Sequence, residues 1–310
     1  MKRVFCSAVF AIAGAACCAA QGKSPETNPD GKGNRPVFAQ PPGEAKPGKP
    51  QPGNGINYHG GPLITSGPKM YYIWYGNWSG NTATTILTDL ANSMGGSPYF
   101  GINTTYSNGA AVHVTNAVAL AGSTFVNGYP YGSSLSDSQI QQVVIDALNG
   151  TNVSTKLTFD SSGVYFVLTS ADVTASSGFC TKYCGWHTYT ALTNGGVLKY
   201  AFIGDPARCP SACAATQIQS NPPNGNLGAD AMASIIAHEL EEATTDPQLN
   251  AWYDTRGMEN ADKCAWTFGA VLTNPATGAS YNVTLGSREF LIQQNWVNQS
   301  GGYCAMSVTH

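Results

Sequence analysis

The sequence predicts one folded domain of the α/β or α+β class, built on a central mixed sheet with one long helix and stabilised by disulfides. Segments rich in β-branched and aromatic residues alternate with segments of helical periodicity, which favours helices packed on a sheet. The helical segment nearest the C-terminus is the longest. Of nine cysteines, three lie near the N-terminus and six lie in the second half, an even number that suits cross-linking.

The N-terminal residues are typical of an export signal. A basic start and a short apolar run end in small residues, so residues 1–20 are predicted to be a signal peptide. A retained membrane anchor is one alternative, although the apolar run is short for a bilayer span. A lipoprotein signal at Cys17 is another, although Gly14 stands where a larger apolar residue is expected.

The rest of the chain divides into a linker and a domain. Residues 21–55 are rich in Pro, Gly and Lys and poor in apolar side chains, which predicts a disordered linker. The folded domain is expected at residues 56–310, which contain no apolar stretch long enough to span a membrane. A secreted, extracellular or cell-wall-associated location is therefore expected.

The charge of the chain excludes one class of partner. Only 11% of residues are charged, and the formal net charge of −3 becomes −5 once Lys2 and Arg3 leave with the signal. Nucleic acid binds basic faces, so we expect no nucleic-acid partner.

The secondary-structure elements follow from periodicity and composition. Strands are predicted at residues 69–75, 111–118, 163–169, 199–203, 281–285 and 289–292. Helices are predicted at residues 84–94, 136–148 and 229–244. Ser136 is the expected N-cap of the second helix, and Asp246-Pro247 is expected to end the third.

The cysteines that follow the signal are expected to form disulfides, because exported proteins meet an oxidising environment. They are Cys180, Cys184, Cys209, Cys213, Cys264 and Cys304. The prediction pairs Cys264 with Cys304 and leaves the other four to pair among themselves. A metal held by the two Cys-x-x-x-Cys pairs is the alternative.

The third helix carries the residues that point to chemistry. His238 and Glu242 are four residues apart, so they lie on one face where both can reach one cation. Glu239 is rotated by about 100°, where its carboxylate could act as a general base on water. The pattern resembles the His-Glu-x-x-His motif of zinc hydrolases with its second histidine replaced. Zn²⁺ is favoured, and Ca²⁺ or Mn²⁺ are alternatives because carboxylate is a harder ligand than imidazole.

A third ligand is expected in the segment after the helix. Glu259 and Asp262 follow Glu242 by 17 and 20 positions, and a carboxylate at about that distance completes the site of thermolysin-like peptidases, by resemblance. Glu259 is preferred, with Asp262 as an alternative ligand or as a partner of a ligand. His187 is a candidate catalytic group that polarises a substrate oxygen; the alternative is a structural histidine in a cross-linked loop.

An ordinary helix with solvated acidic side chains is the alternative to a metal site. Apolar residues on several sides of the helix argue against it: Met232, Ile235, Ile236 and Leu240. They predict burial, and carboxylates buried close together without a cation repel one another.

Several stretches carry a family resemblance that covers most of the chain after the linker. They are Tyr58-His59-Gly60-Gly61-Pro62, Ile73-Trp74-Tyr75-Gly76-Asn77-Trp78, Cys184-Gly185-Trp186-His187, Tyr200-Ala201-Phe202-Ile203-Gly204, Cys209-Pro210-Ser211-Ala212-Cys213 and Gly228-Ala229-Asp230-Ala231-Met232. They resemble the EXORDIUM family, also called phosphate-induced proteins. The resemblance implies a secreted, apoplastic or wall-associated protein tied to growth and nutrient status, and it supplies no established reaction. The chain resembles a microbial-type member that retains the His-Glu-x-x-Glu helix, where plant members carry small and apolar residues.

Two functional hypotheses follow. The first is a secreted metal-dependent hydrolase, a zincin-like peptidase acting on extracellular peptides. In it, His238, Glu242 and either Glu259 or Asp262 hold the cation and Glu239 is the base. The second is a non-catalytic extracellular protein that binds cell-wall polysaccharide or a partner, with a structural metal or none.

Overall fold

The computed structural model describes residues 55–193 and 195–308. The predicted signal peptide at residues 1–20 lies outside the described residues, as does the predicted linker apart from Gly55. The described chain forms one mixed α/β domain with a central five-stranded sheet, a long helix and three disulfides, as predicted.

Five strands of the described residues have seven or eight residues, and the other ten have two or three. They are β1 Asn57–Tyr58, β2 Lys69–Tyr75, β3 Ala119–Phe125, β4 Ser134–Leu135, β5 Gly163–Thr169, β6 Thr174–Ala175, β7 Gly185–Ala191, β8 Val197–Gly204, β9 Trp252–Tyr253, β10 Leu272–Thr273, β11 Ser280–Tyr281, β12 Val283–Leu285, β13 Arg288–Phe290, β14 Asn295–Val297 and β15 Tyr303–Ala305. The α-helices are α1 Ala83–Met94, α2 Asp137–Asn149, α3 Pro210–Cys213 and α4 Leu227–Thr245. Short 3₁₀ turns lie at Phe100–Thr105, Pro206–Arg208, Thr216–Ile218 and Asp262–Cys264.

The central sheet has the strand order β3-β2-β5-β8-β7. The first four strands run parallel, and β7 pairs antiparallel with β8 at one edge. Every residue of β5 is buried, because α4 and α2 both pack on β5 and β8 and so cover the two faces. Helix α1 packs against α4 and β3.

The structure agrees with most predicted elements. The strand at residues 69–75 is β2, and the three predicted helices are α1, α2 and α4. Ser136 caps α2 in a capping box: its hydroxyl accepts from the Gln139 N–H, and the Gln139 side chain accepts from the Ser136 N–H. Asp246 is the residue at which α4 ends.

One predicted strand is wrong. Residues 111–118 form no strand apart from a single bridge between Ser107 and His113, and Ala111 has a left-handed φ of 58°. The strand lies one segment later, in β3, whose side chains alternate between exposed and half-buried as the other edge of the sheet. The apolar residues of this stretch predicted a strand of the central sheet, but Val114 packs in a separate small core with Ile56 and Tyr106.

The three disulfides join Cys180 to Cys209, Cys184 to Cys213 and Cys264 to Cys304. This confirms the predicted pairing of the last two cysteines and the pairing of the other four among themselves. Within the described ranges, no helix combines the length and the apolar character needed to cross a membrane.

Candidate metal centre

Helix α4 brings a polar motif into the core of the domain. Asn226 caps it by accepting a hydrogen bond from the Ala229 N–H, and every residue from Gly228 to Thr245 is buried. Alanines on several sides of the helix let the sheet and α1 approach closely. His238, Glu239 and Glu242 are therefore withdrawn from water, with exposures of 1–2%.

His238 lies between two carboxylates. Its Nε2 is 2.9 Å from Glu242 Oε1, one turn along the helix, and 3.5 Å from Asp262 Oδ1. The backbone N–H of Asp262 donates to the same Glu242 oxygen at 3.1 Å. The turn that follows Ala261 is thus joined to the C-terminal end of α4.

His187 comes to the same place from the sheet. It lies in the middle of β7, opposite Ala201 of β8, so the expectation that it lies in a loop is wrong. Its Nε2 is 3.2 Å from Glu259 Oε2 and 3.7 Å from Glu242 Oε2. The two oxygens of Glu242 therefore face different histidines.

Glu259 and Asp262 reach the cluster from the segment between β9 and the last disulfide. The backbone N–H of Glu259 donates to Asp262 Oδ2 at 3.2 Å, which fixes the Asp262 carboxylate against the backbone of Glu259. Glu259 is fully buried and Asp262 is 4% exposed. The disulfide from Cys264 to Cys304 holds the end of this segment.

These groups have the composition and spacing of a metal site. Two sets could hold an ion: His187, Glu242 and Glu259, and His238, Glu239 and Glu242, with the ligand atoms of each set within 4.8 Å of one another. Tetrahedral ligands at about 2.1 Å from a zinc ion are about 3.4 Å apart. The 2.9 to 3.7 Å contacts between the histidine nitrogens and carboxylate oxygens bracket that value. A cation would also offset the repulsion between four buried carboxylates.

Glu239 lies at the contact between α4 and β7. A Cβ added to Gly185 would come 3.1 Å from Glu239 Oε1 and 2.5 Å from the Ile235 side chain. The glycine therefore lets the first residues of β7 lie directly on the helix face that carries Glu239. This places the candidate base next to the strand that carries His187.

The sequence pattern did not reveal a set of buried polar groups behind the cluster. Glu241 Oε2 accepts from Asn295 Nδ2 at 2.7 Å, and its backbone carbonyl accepts from Asn260 Nδ2 at 3.2 Å. Burial raises the pKa of the Glu241 carboxyl well above its usual range, opposed by hydrogen bonds from Asn103 and Asn295. Burial, and then the charges of Glu241 and Glu242, raise the pKa of Tyr99. Asn260 adjoins Glu259 in the sequence, but no local signal marks the other asparagines.

Comparison with known proteins supplies the family. The family described as "Phosphate-induced protein 1 conserved region" matches residues 56–306. Protein EXORDIUM-like 3 of Arabidopsis thaliana is 32% identical, over 78% of this chain and 80% of the relative. Protein EXORDIUM-like 5 of the same plant is 30% identical, over 78% and 75%.

A tobacco relative extends the match beyond one plant. Protein PHOSPHATE-INDUCED 1 of Nicotiana tabacum is 27% identical, over 73% of this chain and 80% of the relative. No solved structure matches this chain. The family match covers nearly all of the described residues, including every group of the candidate metal centre, and the chain therefore belongs to the phosphate-induced protein 1, or EXORDIUM, family.

Proposed function

We propose that this protein is a metal-dependent hydrolase of the extracellular space, a zincin-like peptidase. One observation carries the proposal: two imidazoles and the carboxylates of Glu242 and Glu259 meet in a buried cluster built from α4, β7 and the segment after β9. His238, Glu242 and Glu259 would hold the cation, with Glu242 as the residue that the two ligand sets share. His187 faces the same carboxylates and would either complete the ligand set or polarise the substrate.

The donor set favours zinc among the candidate ions. Calcium takes oxygen ligands, whereas imidazole suits zinc and other transition metals. Each of the two ligand sets contains one imidazole, from His187 or from His238. A nitrogen donor in either set argues for zinc over calcium or manganese.

The chain's own residues suit a hydrolytic role around such an ion. A bound zinc ion would supply Lewis-acid polarisation of a substrate carbonyl. Glu239 would accept a proton from water, because one of its carboxylate oxygens lies within 4.8 Å of the ligand atoms of His238 and Glu242. Asp262 Oδ1 lies 3.5 Å from the same His238 Nε2 that faces Glu242, so Asp262 would serve as an alternative ligand.

The second candidate is a non-catalytic protein with a structural metal. The near-complete burial of His187, His238, Glu242 and Glu259 favours it, because catalytic zinc sites keep a position open to substrate whereas structural sites are closed. Chelation would then lower the melting temperature without the loss of any reaction.

The experiment that tests the proposal combines metal content with turnover. The purified mature protein is expected to contain zinc by elemental analysis and to cleave members of a peptide library. Glu239→Gln should lower kcat by about 10²- to 10⁴-fold while zinc content and melting temperature stay unchanged. Glu289→Gln is the matched control, since Glu289 is half-buried and bonded to Asn274, far along the chain from the cluster.

Each outcome decides between the candidates. Zinc without turnover on any peptide would remove the hydrolase and leave the structural metal. Peptide cleavage that is unchanged by Glu239→Gln would remove Glu239 as the general base. A protein that binds no zinc, calcium or manganese at neutral pH would remove both.

A further inference from the structure

Two exposed aromatic rings stand at the carboxyl ends of the parallel strands. Phe125 is the last residue of β3 and is 42% exposed; Tyr129, four residues later, is 40% exposed. Most other large apolar side chains in the described ranges are buried. Two large exposed rings so close in sequence are a feature that folding alone does not favour.

Both rings are held in place by buried neighbours on β2. The Phe125 ring stacks on Trp74 with centroids 5.9 Å apart and an angle of 19°. The Tyr129 ring meets Tyr75 edge-on at 6.1 Å, and its hydroxyl donates to Asp172 Oδ2 at 2.6 Å. Asp172 is itself held by the Ser170 hydroxyl at 2.6 Å. Rings fixed in this way lose little conformational entropy when a ligand binds.

The two rings bracket the edge of the sheet. Trp74 and Tyr75 are neighbours in a strand, so their side chains point to opposite faces. Between them, the loops after β2 and β5 meet where the Asn77 N–H donates to Ser170 Oγ at 2.9 Å. The side chains of Asn77 and Asp172 are exposed there and offer hydrogen bonds.

This edge is also where the topology favours a ligand. From β2, the chain passes to β3 on one side and then returns to β5 on the other. Open α/β sheets bind ligands at the carboxyl ends of strands where the strand order reverses in this way. We call the group of Phe125, Tyr129, Asn77 and Asp172 the aromatic rim.

We propose that the aromatic rim binds an uncharged polysaccharide chain. Sugar rings present C–H groups that pack on aromatic faces, and hydroxyls that bond to amide and carboxylate groups. The rim offers both kinds of contact. The low charged fraction of the chain, 11%, suits a neutral ligand better than an anionic one.

The aromatic rim is separate from the candidate metal centre. β2 is three strands from β7, which carries His187, a distance of about 14 Å across the sheet. Polysaccharide binding therefore does not depend on the proposed hydrolase activity, and Glu239→Gln should leave it unchanged.

Affinity electrophoresis of the folded protein tests the proposal. Native gels contain hydroxyethylcellulose, a soluble β-1,3-glucan, xylan or mannan, and the wild type is expected to be retarded by at least one of them. Phe125→Ala and Tyr129→Ala should each weaken the retardation at least tenfold at an unchanged melting temperature. Phe159→Ala is the matched control, because Phe159 is 39% exposed on another loop; it should behave as the wild type.

Several results would overturn the proposal. One is that none of the four polymers retards the wild type. Another is that Phe159→Ala weakens the retardation as much as Phe125→Ala does. A dimer in sedimentation that Phe125→Ala dissociates would assign the rim to contact between copies. Tyr129→Phe keeps the ring and loses only the hydrogen bond to Asp172, so it can replace Tyr129→Ala if that variant unfolds. A complete loss of retardation in Tyr129→Phe would contradict stacking as the main contact.

Discussion

At the residue scale, His187 changes the chemistry that α4 could perform alone. It supplies the imidazole of a ligand set with Glu242 and Glu259, and a nitrogen donor suits zinc better than calcium. The second imidazole is available because β7 runs antiparallel at the edge of the sheet and lies on the face of α4 that carries Glu239. Its Nε2 then faces Glu242 and Glu259.

Replacement of His187 should weaken metal binding. We expect His187→Ala to raise the Kd for zinc at least tenfold, since even partners of metal ligands are worth 10- to 100-fold. The measurement is a competition titration with a chromophoric chelator. His113→Ala is the control, because His113 is exposed and bonds to the Thr104 carbonyl in a loop. Equal zinc affinity in the two variants would show that His187 is not a ligand.

At the element scale, the contact between α4 and β7 decides whether the groups converge. Gly185 permits it, because an added Cβ would lie 2.5 Å from Ile235 Cγ2 and 3.0 Å from the Phe202 carbonyl oxygen. We expect Gly185→Ala to lower the free energy of unfolding by about 1–3 kcal/mol through overpacking. It should also weaken zinc binding by moving His187 away from Glu242.

Denaturant titration and zinc titration of the same variant measure the two effects. Gly55→Ala is the control, since no heavy atom lies within 4 Å of the Cβ it would add. A Gly185→Ala protein with wild-type stability would show that the strand and helix have room to separate.

The first turn of α4 gives a pH prediction. Burial raises the pKa of Asp230 to about 6, against its ordinary 3.8, although hydrogen bonds from Asn224 oppose the shift. The native state therefore holds this proton more tightly than the unfolded chain, and the stability it contributes is lost as pH rises from about 4 through 6. This titration changes the free energy of unfolding by at most about 3 kcal/mol.

Asp230→Asn removes this titration. We expect the free energy of unfolding of the variant to fall less steeply than that of the wild type between pH 4 and 6. Urea denaturation at several pH values measures both slopes. Parallel pH profiles for the two proteins would contradict a raised pKa at Asp230.

At the scale of the whole molecule, disulfides hold both ligand-bearing segments outside α4. Cys184 lies just before β7, and Cys264 follows Asp262 by two residues. By restricting the unfolded chain, the disulfide between Cys264 and Cys304, 40 residues apart, should stabilise the folded state by about 4 kcal/mol. The disulfide between Cys180 and Cys209, 29 residues apart, should contribute a similar amount.

Two paired variants separate stability from metal binding. Serine at both Cys264 and Cys304 should lower the free energy of unfolding and also weaken zinc binding, since it frees the segment that holds Glu259. Serine at both Cys180 and Cys209 should lower stability by a similar amount and leave zinc affinity near that of the wild type. An equal loss of zinc affinity in both variants would mean that general destabilisation of the domain, and not the disulfide near Glu259, determines zinc binding.

The sequence by itself determined the elements whose residues mark them locally. The strand at residues 69–75, the Ser136 cap and the end of α4 at Asp246 were all predicted, because apolar spacing and capping chemistry act through near neighbours. The spacing of His238 and Glu242 on one helix face was predicted for the same reason.

Only the tertiary structure decided which distant groups meet. It placed His187 in a strand beside α4, brought both Glu259 and Asp262 to the histidines, and surrounded Glu241 with asparagines from separate segments. It also showed that the edge strand is β3 and not residues 111–118. The physical reason is that an edge strand is only half-buried, and contacts between remote segments depend on the packing of the whole sheet and its helices.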